Sequence, residues 1–186
     1  QSDDKRELAN ILGQNFRLGE IEASIAREQL KKLSHFVETR QSAALRLKKG
    51  LEGLNGLRMP KVSEDCTHVY YIFGLTLTDE NIIKKRKFIV EALKAEGVPG
   101  LIIGYANIHL NPLFTNKIAY GTKGFPWKGI ESKESSIIYK NGLCPVAEKL
   151  HNETFISILL CSHFYTDEEI DLVVSAFQKV WRLLDL

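Results

Sequence analysis

The sequence has 186 residues, 44% of them hydrophobic and 26% charged, which is typical of one globular domain with a sizeable core. The formal net charge of +2 is too small for bulk electrostatics to indicate a nucleic-acid or membrane-surface partner. No apolar run approaches the roughly 20 residues that cross a bilayer, and the polar stretch QSDDKRELAN does not have the pattern of a signal peptide.

The first predicted element is a long helix over residues 18–53. Its apolar residues recur mainly at steps of three and four, the spacing of one helical face, and Gly50 and Gly53 mark its end. A helix this long is expected to extend beyond a single compact body. The residues of the apolar face are Leu18, Ile21, Ile25, Leu30, Leu33, Val37, Ala44, Leu47 and Leu51.

Residues 66–186 are predicted to form a body of strands and helices. The stretch HVYYIFGLTL is rich in aromatic and β-branched residues and predicts a buried strand. Thr78 or Asp79 can then cap a helix that ends near Gly97.

Two further strands are predicted from GLIIGY and ETFISILL, separated by a long loop between residues 105 and 144. Thr166 and Glu169 form a capping-box pattern before a final amphipathic helix. The order of elements predicts the α/β class, as a small two-layer domain in which helices cover a short β-sheet, with the long helix at its N-terminal side.

The sequence contains no common catalytic motif and no metal-ligand spacing. The three cysteines are far apart, without a CxxC pair, so we expect free thiols and a reduced, cytoplasmic setting. The basic run KKRK at 84–87 indicates a solvated helix face or an anion site. The carboxylates at 168, 169 and 171 are expected to stabilise the start of a helix.

Asn15 and Arg17 lie in the stretch GQNFRLGEIEAS, just before the long helix begins. An amide and a guanidinium two residues apart, next to free N–H groups at a helix start, can bind an oxyanion or a phosphate. Equally, Asn15 can cap a turn while Arg17 pairs with a helix carboxylate such as Glu20. The residues alone leave both interpretations open.

The stretch GQNFRLGEIEASIAREQLKKL resembles the DegT/StrS family of nucleotide-sugar aminotransferases, whose pattern here is G-x-N-[YF]-R-[ML]-[ST]-[ED]. The similarity continues in the family's order over nearly the whole chain. It runs through RMP, VYYIFGL, ALKAEGVP, IHLNPLF, CPVAEKL and YTDEEIDLVVSAFQKV.

The resemblance implies a fold-type I enzyme that uses pyridoxal 5'-phosphate (PLP), with residues 1–186 matching its C-terminal small domain. The lysine that forms the Schiff base would belong to an N-terminal PLP domain outside this chain. This chain would therefore carry no catalytic residue, hold no PLP covalently and be inactive alone.

The resemblance also implies roles for individual residues. In the family's dimers the loop that matches Asn15 and Arg17 reaches the partner's active site and contacts the PLP phosphate and substrate anions. His109 and Tyr105 would contact the nucleotide-sugar, although Gly104 stands where the family often has His. Gly19 replaces a common Ser or Thr, but it can still cap the helix.

The implied activity is transfer of an amino group, with glutamate as the expected donor, to a keto nucleotide-sugar by a homodimer. No nucleic-acid or membrane partner is expected. Two alternatives stay open. One is a PLP-dependent sugar dehydratase of the same family, in which a histidine replaces the Schiff-base lysine. The other is a stand-alone, non-catalytic binding or dimerisation module.

Overall fold

A computed structural model describes residues 16–120, 124–128 and 137–184. The chain divides into two units, Gln1–Phe36 and Val37–Leu186. In the first unit, helix α1 spans Glu20–Leu30 and has no buried side chain. Gly19 is its N-cap, as the sequence predicts. Helix α2 spans Leu33–Gly50 and buries three side chains toward its C-terminal end.

The prediction of one continuous helix over 18–53 is therefore wrong. A turn at Lys31 and Lys32 separates α1 from α2, and the N–H of Lys32 donates to the carbonyl of Gln29 at 3.0 Å. The sequence carries a sign of this break, because the apolar step from Ile25 to Leu30 is five residues. That step rotates the apolar stripe out of phase with a regular helix.

The second unit contains a four-stranded sheet in the order β1-β2-β4-β3, and every neighbouring pair is antiparallel. The strands are β1 (Leu57–Arg58), β2 (Phe73–Leu77), β3 (Leu101–Ile102) and β4 (Phe155–Ile158). Phe73 pairs with Ile158, and Leu75 pairs with Ile156. These four side chains share one face of the sheet and are fully buried.

Strand β2 is shorter than the apolar stretch that predicts it. Tyr70 has a φ of 45°, and its N–H donates to Nδ1 of His68 at 2.8 Å. This local turn takes the backbone out of the extended conformation, so the strand begins only at Phe73. The two-residue strand β1 was not predicted, because two residues carry no periodicity.

Helices α3 (Glu80–Lys84), α4 (Arg86–Ala95) and α7 (Asp167–Arg182) complete the main core. Asp79 caps α3 by accepting hydrogen bonds from two backbone N–H groups, and the predicted capping box of Thr166 and Glu169 is present at α7. This arrangement confirms the predicted α/β class, a short sheet covered by helices. The largest fully buried side chains are Phe73, Phe177, Leu47, Leu51, Leu75, Leu77, Ile82, Ile89, Leu93, Ile156, Ile158 and Leu160.

The predicted long loop contains short helical pieces. A 3-10 turn spans Ile108–Leu110 and is followed by α5 (Pro112–Thr115). Helix α6 covers Pro145–Lys149, and a wider π-type turn over Leu150–Thr154 leads into β4. Within the described ranges, no helix is both long and apolar enough to span a bilayer.

Candidate functional site

A cavity of about 550 Å³ lies beside the segment that follows β3. Its wall is mostly apolar and aromatic, with a few polar side chains, a common composition for a small-molecule site. The structure brings Tyr105 and His109, the two substrate contacts that the resemblance implies, to this one cavity. Its other lining residues are Gly104, Ala106, Asn107, Ile108, Phe114, Tyr139, Cys144, Ala147, Leu150, His151 and Phe155.

Gly104 lets the chain turn from β3 into the cavity wall. Its φ is +140°, a value that residues with a Cβ rarely adopt. A Cβ at this position would meet Nδ1 of His151 at 2.6 Å. The next residue, Tyr105, is 85% exposed, whereas the side chain of His109 is only 10% exposed. This segment therefore places an exposed tyrosine side chain and a mostly buried histidine side chain beside the same cavity.

His109 forms a hydrogen bond with Glu148 on α6, with 2.8 Å between Nε2 and Oε1. The same carboxylate accepts hydrogen bonds from the N–H of Gly142 at 2.8 Å and the N–H of Cys144 at 3.1 Å. These two backbone donors lower the pKa of Glu148 below its ordinary value, and His109 lowers it further. The carboxylate is therefore ionised and fixed beside the cavity.

Sequence reasoning did not identify Glu148 as part of the site. A weak signal was present, because an acidic residue in the first turn of a helix often reaches back to the backbone N–H groups before it. Here Cys144 is the N-cap of α6, and the side chain of Glu148 accepts its N–H. The pairing with His109, which lies 39 positions away, has no local signal.

An aromatic cluster supports the far side of the cavity. The ring of Phe114 packs on Tyr139 and on Trp127, with centroid distances of 5.4 and 6.1 Å. The indole N–H of Trp127 donates to the hydroxyl of Tyr139 at 3.1 Å. Trp127 is buried. These contacts fix parts of the predicted long loop, so Phe114 and Tyr139 are held in the cavity wall.

The basic run at 84–87 has a mixed role. Arg86 turns inward, and its guanidinium donates to the backbone carbonyls of Ile103, His151, Asn152 and Phe155. Burial lowers the pKa of Arg86. Arg86 thus ties the end of β3 to the turn before β4. The lysines of the run at 84 and 87 line a second cavity of about 710 Å³ whose wall carries both signs of charge.

Asn15 lies outside the described residues, so only Arg17 of the predicted anion clamp can be located. Arg17 is exposed. It forms no ion pair within the part of the chain that the structure describes, and the alternative pairing with Glu20 is not present. No described residue pairs with its guanidinium, which can therefore bind an anion.

The remaining candidate groups are the carboxylates, the thiols and a possible metal site. They have structural roles or are absent from the described ranges. Glu169 belongs to the capping box, and Asp171 pairs with Arg46 through two hydrogen bonds of 2.6 Å. The three thiols are free, and Cys144 lines the cavity. Residues 16–120, 124–128 and 137–184 contain no grouping of three side chains suited to a metal ion.

Comparison with known proteins agrees with this fold. The model of the DegT/DnrJ/EryC1/StrS aminotransferase family matches residues 1–178. The chain is 31% identical over 146 residues to a dTDP-3-amino-3,4,6-trideoxy-alpha-D-glucose transaminase from Micromonospora megalomicea subsp. nigra. It is 27% identical over 103 residues to a dTDP-4-dehydro-2,6-dideoxy-D-glucose 3-dehydratase from Saccharopolyspora spinosa. These matches cover 77% and 55% of this chain.

The fold is also similar to that of the aminotransferase TlmJ from Streptoalloteichus hindustanus. The TM-score is 0.64 at 24% sequence identity, and the match covers 95% of this chain and 40% of that one. The chain spans 32% of the length of the transaminase and 22% of that of the dehydratase. This sequence therefore corresponds to only part of each of these relatives.

Proposed function

The chain belongs to the DegT/DnrJ/EryC1/StrS aminotransferase family, and we propose that it is the C-terminal part of a PLP-dependent enzyme that aminates a keto nucleotide-sugar. The family includes PLP-dependent sugar aminotransferases and dehydratases. In this proposal the chain supplies a substrate pocket and part of a homodimer interface, and glutamate is the amino donor. The complete enzyme works in the cytoplasm.

The observation that carries the proposal is the shared cavity of Tyr105 and His109. The resemblance implies both residues as substrate contacts from separate sequence patterns, and both line the same apolar space of about 550 Å³. An apolar wall with Tyr and His side chains suits a sugar ring, whose C–H faces pack on aromatic surfaces while its hydroxyls need polar partners. The cavity thus has the size and chemistry of a sugar subsite.

The described residues fit the part of a PLP site that contacts the phosphate better than the part that holds PLP covalently. No lysine and no carboxylate are among the described residues that line the cavity. Arg17, by contrast, offers an exposed guanidinium whose fork matches a phosphate. In this proposal, which follows the family resemblance, Asn15 and Arg17 would hold the PLP phosphate and a lysine outside this chain would hold PLP covalently.

The chain's own residues bind and orient the substrate. His109 and Tyr105 hold the sugar through hydrogen bonds, and the surrounding apolar side chains exclude water from it. Arg17 neutralises the phosphate or a substrate anion, and Asn15 adds an amide hydrogen bond. When bound, PLP supplies the electron sink that stabilises negative charge at the reacting carbon.

Two other functions remain testable alternatives. A sugar dehydratase of the same family would use the same cavity but would have a histidine in place of the PLP-binding lysine. The higher identity and wider coverage of the transaminase match favour the aminotransferase. A stand-alone binding or dimerisation module would bind the sugar nucleotide without any upstream PLP domain. Sequencing the coding region upstream of residue 1 distinguishes the aminotransferase, the dehydratase and the stand-alone module.

The substitution His109→Ala in the complete enzyme tests the proposed pocket. Loss of a hydrogen bond to the sugar should raise KM for the keto-sugar about tenfold and leave KM for the amino donor nearly unchanged. The matched control is His163→Ala, which removes a histidine that does not line this cavity. Steady-state kinetics with each substrate varied in turn gives both constants. Equal effects on the two constants, or no effect, would remove His109 from the substrate pocket.

A further inference from the structure

We infer that Glu148 is a positioning residue that fixes the imidazole of His109 in the tautomer protonated on Nε2. Nδ1 then presents an acceptor lone pair to the cavity and selects a ligand that offers a hydroxyl group there. The inference rests on the proposed function, because it takes the cavity as the sugar pocket.

The first support is that Glu148 is held independently of His109. Its Oε2 accepts the N–H of Gly142 at 2.8 Å, and its Oε1 accepts the N–H groups of Gly142 and Cys144 at 3.0 and 3.1 Å. Its side chain is only 14% exposed. Backbone donors on a loop and at a helix N-cap therefore hold the carboxylate in place without any contribution from His109.

The second support is the direction of the hydrogen bond between His109 and Glu148. The backbone N–H groups lower the pKa of Glu148, so its carboxylate is ionised near neutral pH and can only accept. The 2.8 Å contact must then be donated by the Nε2–H of His109. In neutral imidazole only one nitrogen carries a proton, so Nδ1 is left as an acceptor.

The third support is the position of Nδ1. Among the described residues, the only buried side-chain nitrogen or oxygen without a hydrogen-bond partner is Nδ1 of His151. Nδ1 of His109 also has no hydrogen bond within the described ranges, so it must keep access to open space. His109 lines the cavity, and we infer that this is the open space that Nδ1 reaches.

The ligand chemistry follows from these three observations. A fixed acceptor in a mostly apolar wall pairs with a hydroxyl and leaves a carbonyl oxygen or an anionic group without a donor. A site built to hydrogen-bond a hydroxyl discriminates strongly against the analogue that lacks it, because its own polar atom is then unpaired. Glu148 and His109 together should therefore select the hydroxyl-bearing sugar over its deoxy counterpart.

Two variants of the complete enzyme separate positioning from a purely structural role. Glu148→Gln keeps a side-chain oxygen that can accept from the backbone and from His109, but it removes the charge. Glu148→Met has a similar length and no acceptor. Nitrogen NMR of 15N-histidine-labelled enzyme, with the His109 signals assigned by their loss in His109→Ala, reports which ring nitrogen carries the proton.

We expect the Nε2–H tautomer in the wild type and in Glu148→Gln, and a mixture of tautomers in Glu148→Met. KM for the keto-sugar should rise about tenfold in Glu148→Met and stay within about twofold in Glu148→Gln, with KM for the amino donor unchanged in both. A wild-type His109 protonated on Nδ1 would overturn the inference, even if Glu148→Met fails to fold. So would a folded Glu148→Met variant that keeps the wild-type tautomer and the wild-type KM.

The two proposals fail in different ways. If His109→Ala leaves KM for the keto-sugar unchanged, the sugar pocket is wrong and the hydroxyl selection by His109 falls with it. If His109→Ala raises that KM while a folded Glu148→Met leaves the tautomer and KM unaltered, the pocket stands and only the positioning role is wrong.

Discussion

Single residues decide how the wall of the cavity is built, and Gly104 is the clearest example. Its φ of +140° and the closeness of the His151 ring leave no room for a Cβ. Gly97 also has a positive φ, +84°, but nothing lies within 4 Å of the position that a Cβ would take. The two glycines therefore differ both in backbone conformation and in the space that is left for a Cβ.

We predict that Gly104→Ala destabilises the protein more than Gly97→Ala does. Strained backbone alone should cost about 1–2 kcal/mol at Gly97, which lies near the left-handed region, and more at Gly104, whose φ lies outside it. At Gly104 the clash with His151 should add to this and also displace the ring from the cavity wall. Urea unfolding of both variants measures the difference. Equal losses would contradict both the larger backbone strain and the clash with His151 at Gly104.

At the level of elements, ion pairs join α2 to α7. The guanidinium of Arg46 donates two hydrogen bonds to Asp171 and one, of 2.8 Å, to Asp167. The hydrogen bonds from Arg46 lower the pKa of Asp171 below its ordinary value of 3.8. Both side chains are more than a third exposed, so solvent screens this contribution.

We predict that this pair stabilises the fold in a pH-dependent way. Because the pKa of Asp171 is lower in the folded state, its contribution is complete above the unfolded value and is lost as the pH falls through the folded value. The loss of stability in Asp171→Asn should therefore be full near pH 7 and shrink below about pH 3.8.

Urea unfolding of wild type and Asp171→Asn at several pH values checks this expectation. Asp65→Asn is the control, because Asp65 is exposed and forms no ion pair within the described residues. A difference between wild type and Asp171→Asn that does not change with pH would contradict the proposed role of the carboxylate charge.

On the scale of the whole molecule, helix α1 exposes apolar side chains. Its apolar residues Ile21, Ile25 and Leu30 are 76%, 58% and 67% exposed. Ile21 and Ile25 lie one turn apart on the helix, and exposed apolar patches commonly mark an interface. Arg17 lies on the same segment, just before Gly19. In the proposed homodimer this segment meets the partner, and Arg17 completes the partner's active site.

We predict that Arg17 acts in trans. Two inactive forms of the complete enzyme are needed, one without the PLP-binding lysine and one with Arg17→Ala. After mixing under subunit exchange, some activity should return, because one site of each heterodimer has both its lysine and the partner's arginine. Mixing the lysine variant with a variant that lacks both residues is the matched control. Confirmed exchange without recovered activity would assign Arg17 to its own subunit.

The sequence by itself determined the parts of the fold that depend on local chemistry. Asp79, Gly19 and the pair Thr166–Glu169 cap helices where predicted, because a cap needs only neighbouring residues along the chain. Strands β2, β3 and β4 lie within the predicted apolar stretches, whereas β1 was not predicted. Family motifs in the sequence pointed to His109 and Tyr105, which line one cavity.

Only the tertiary structure decided the features that depend on distant contacts. The inward position of Arg86 follows from carbonyls supplied by two other segments, at Ile103 and at 151–155. The partner of His109 is Glu148, 39 positions away on a different helix. Such a pairing leaves no periodicity in the sequence, because it depends on where the folded backbone places the two side chains.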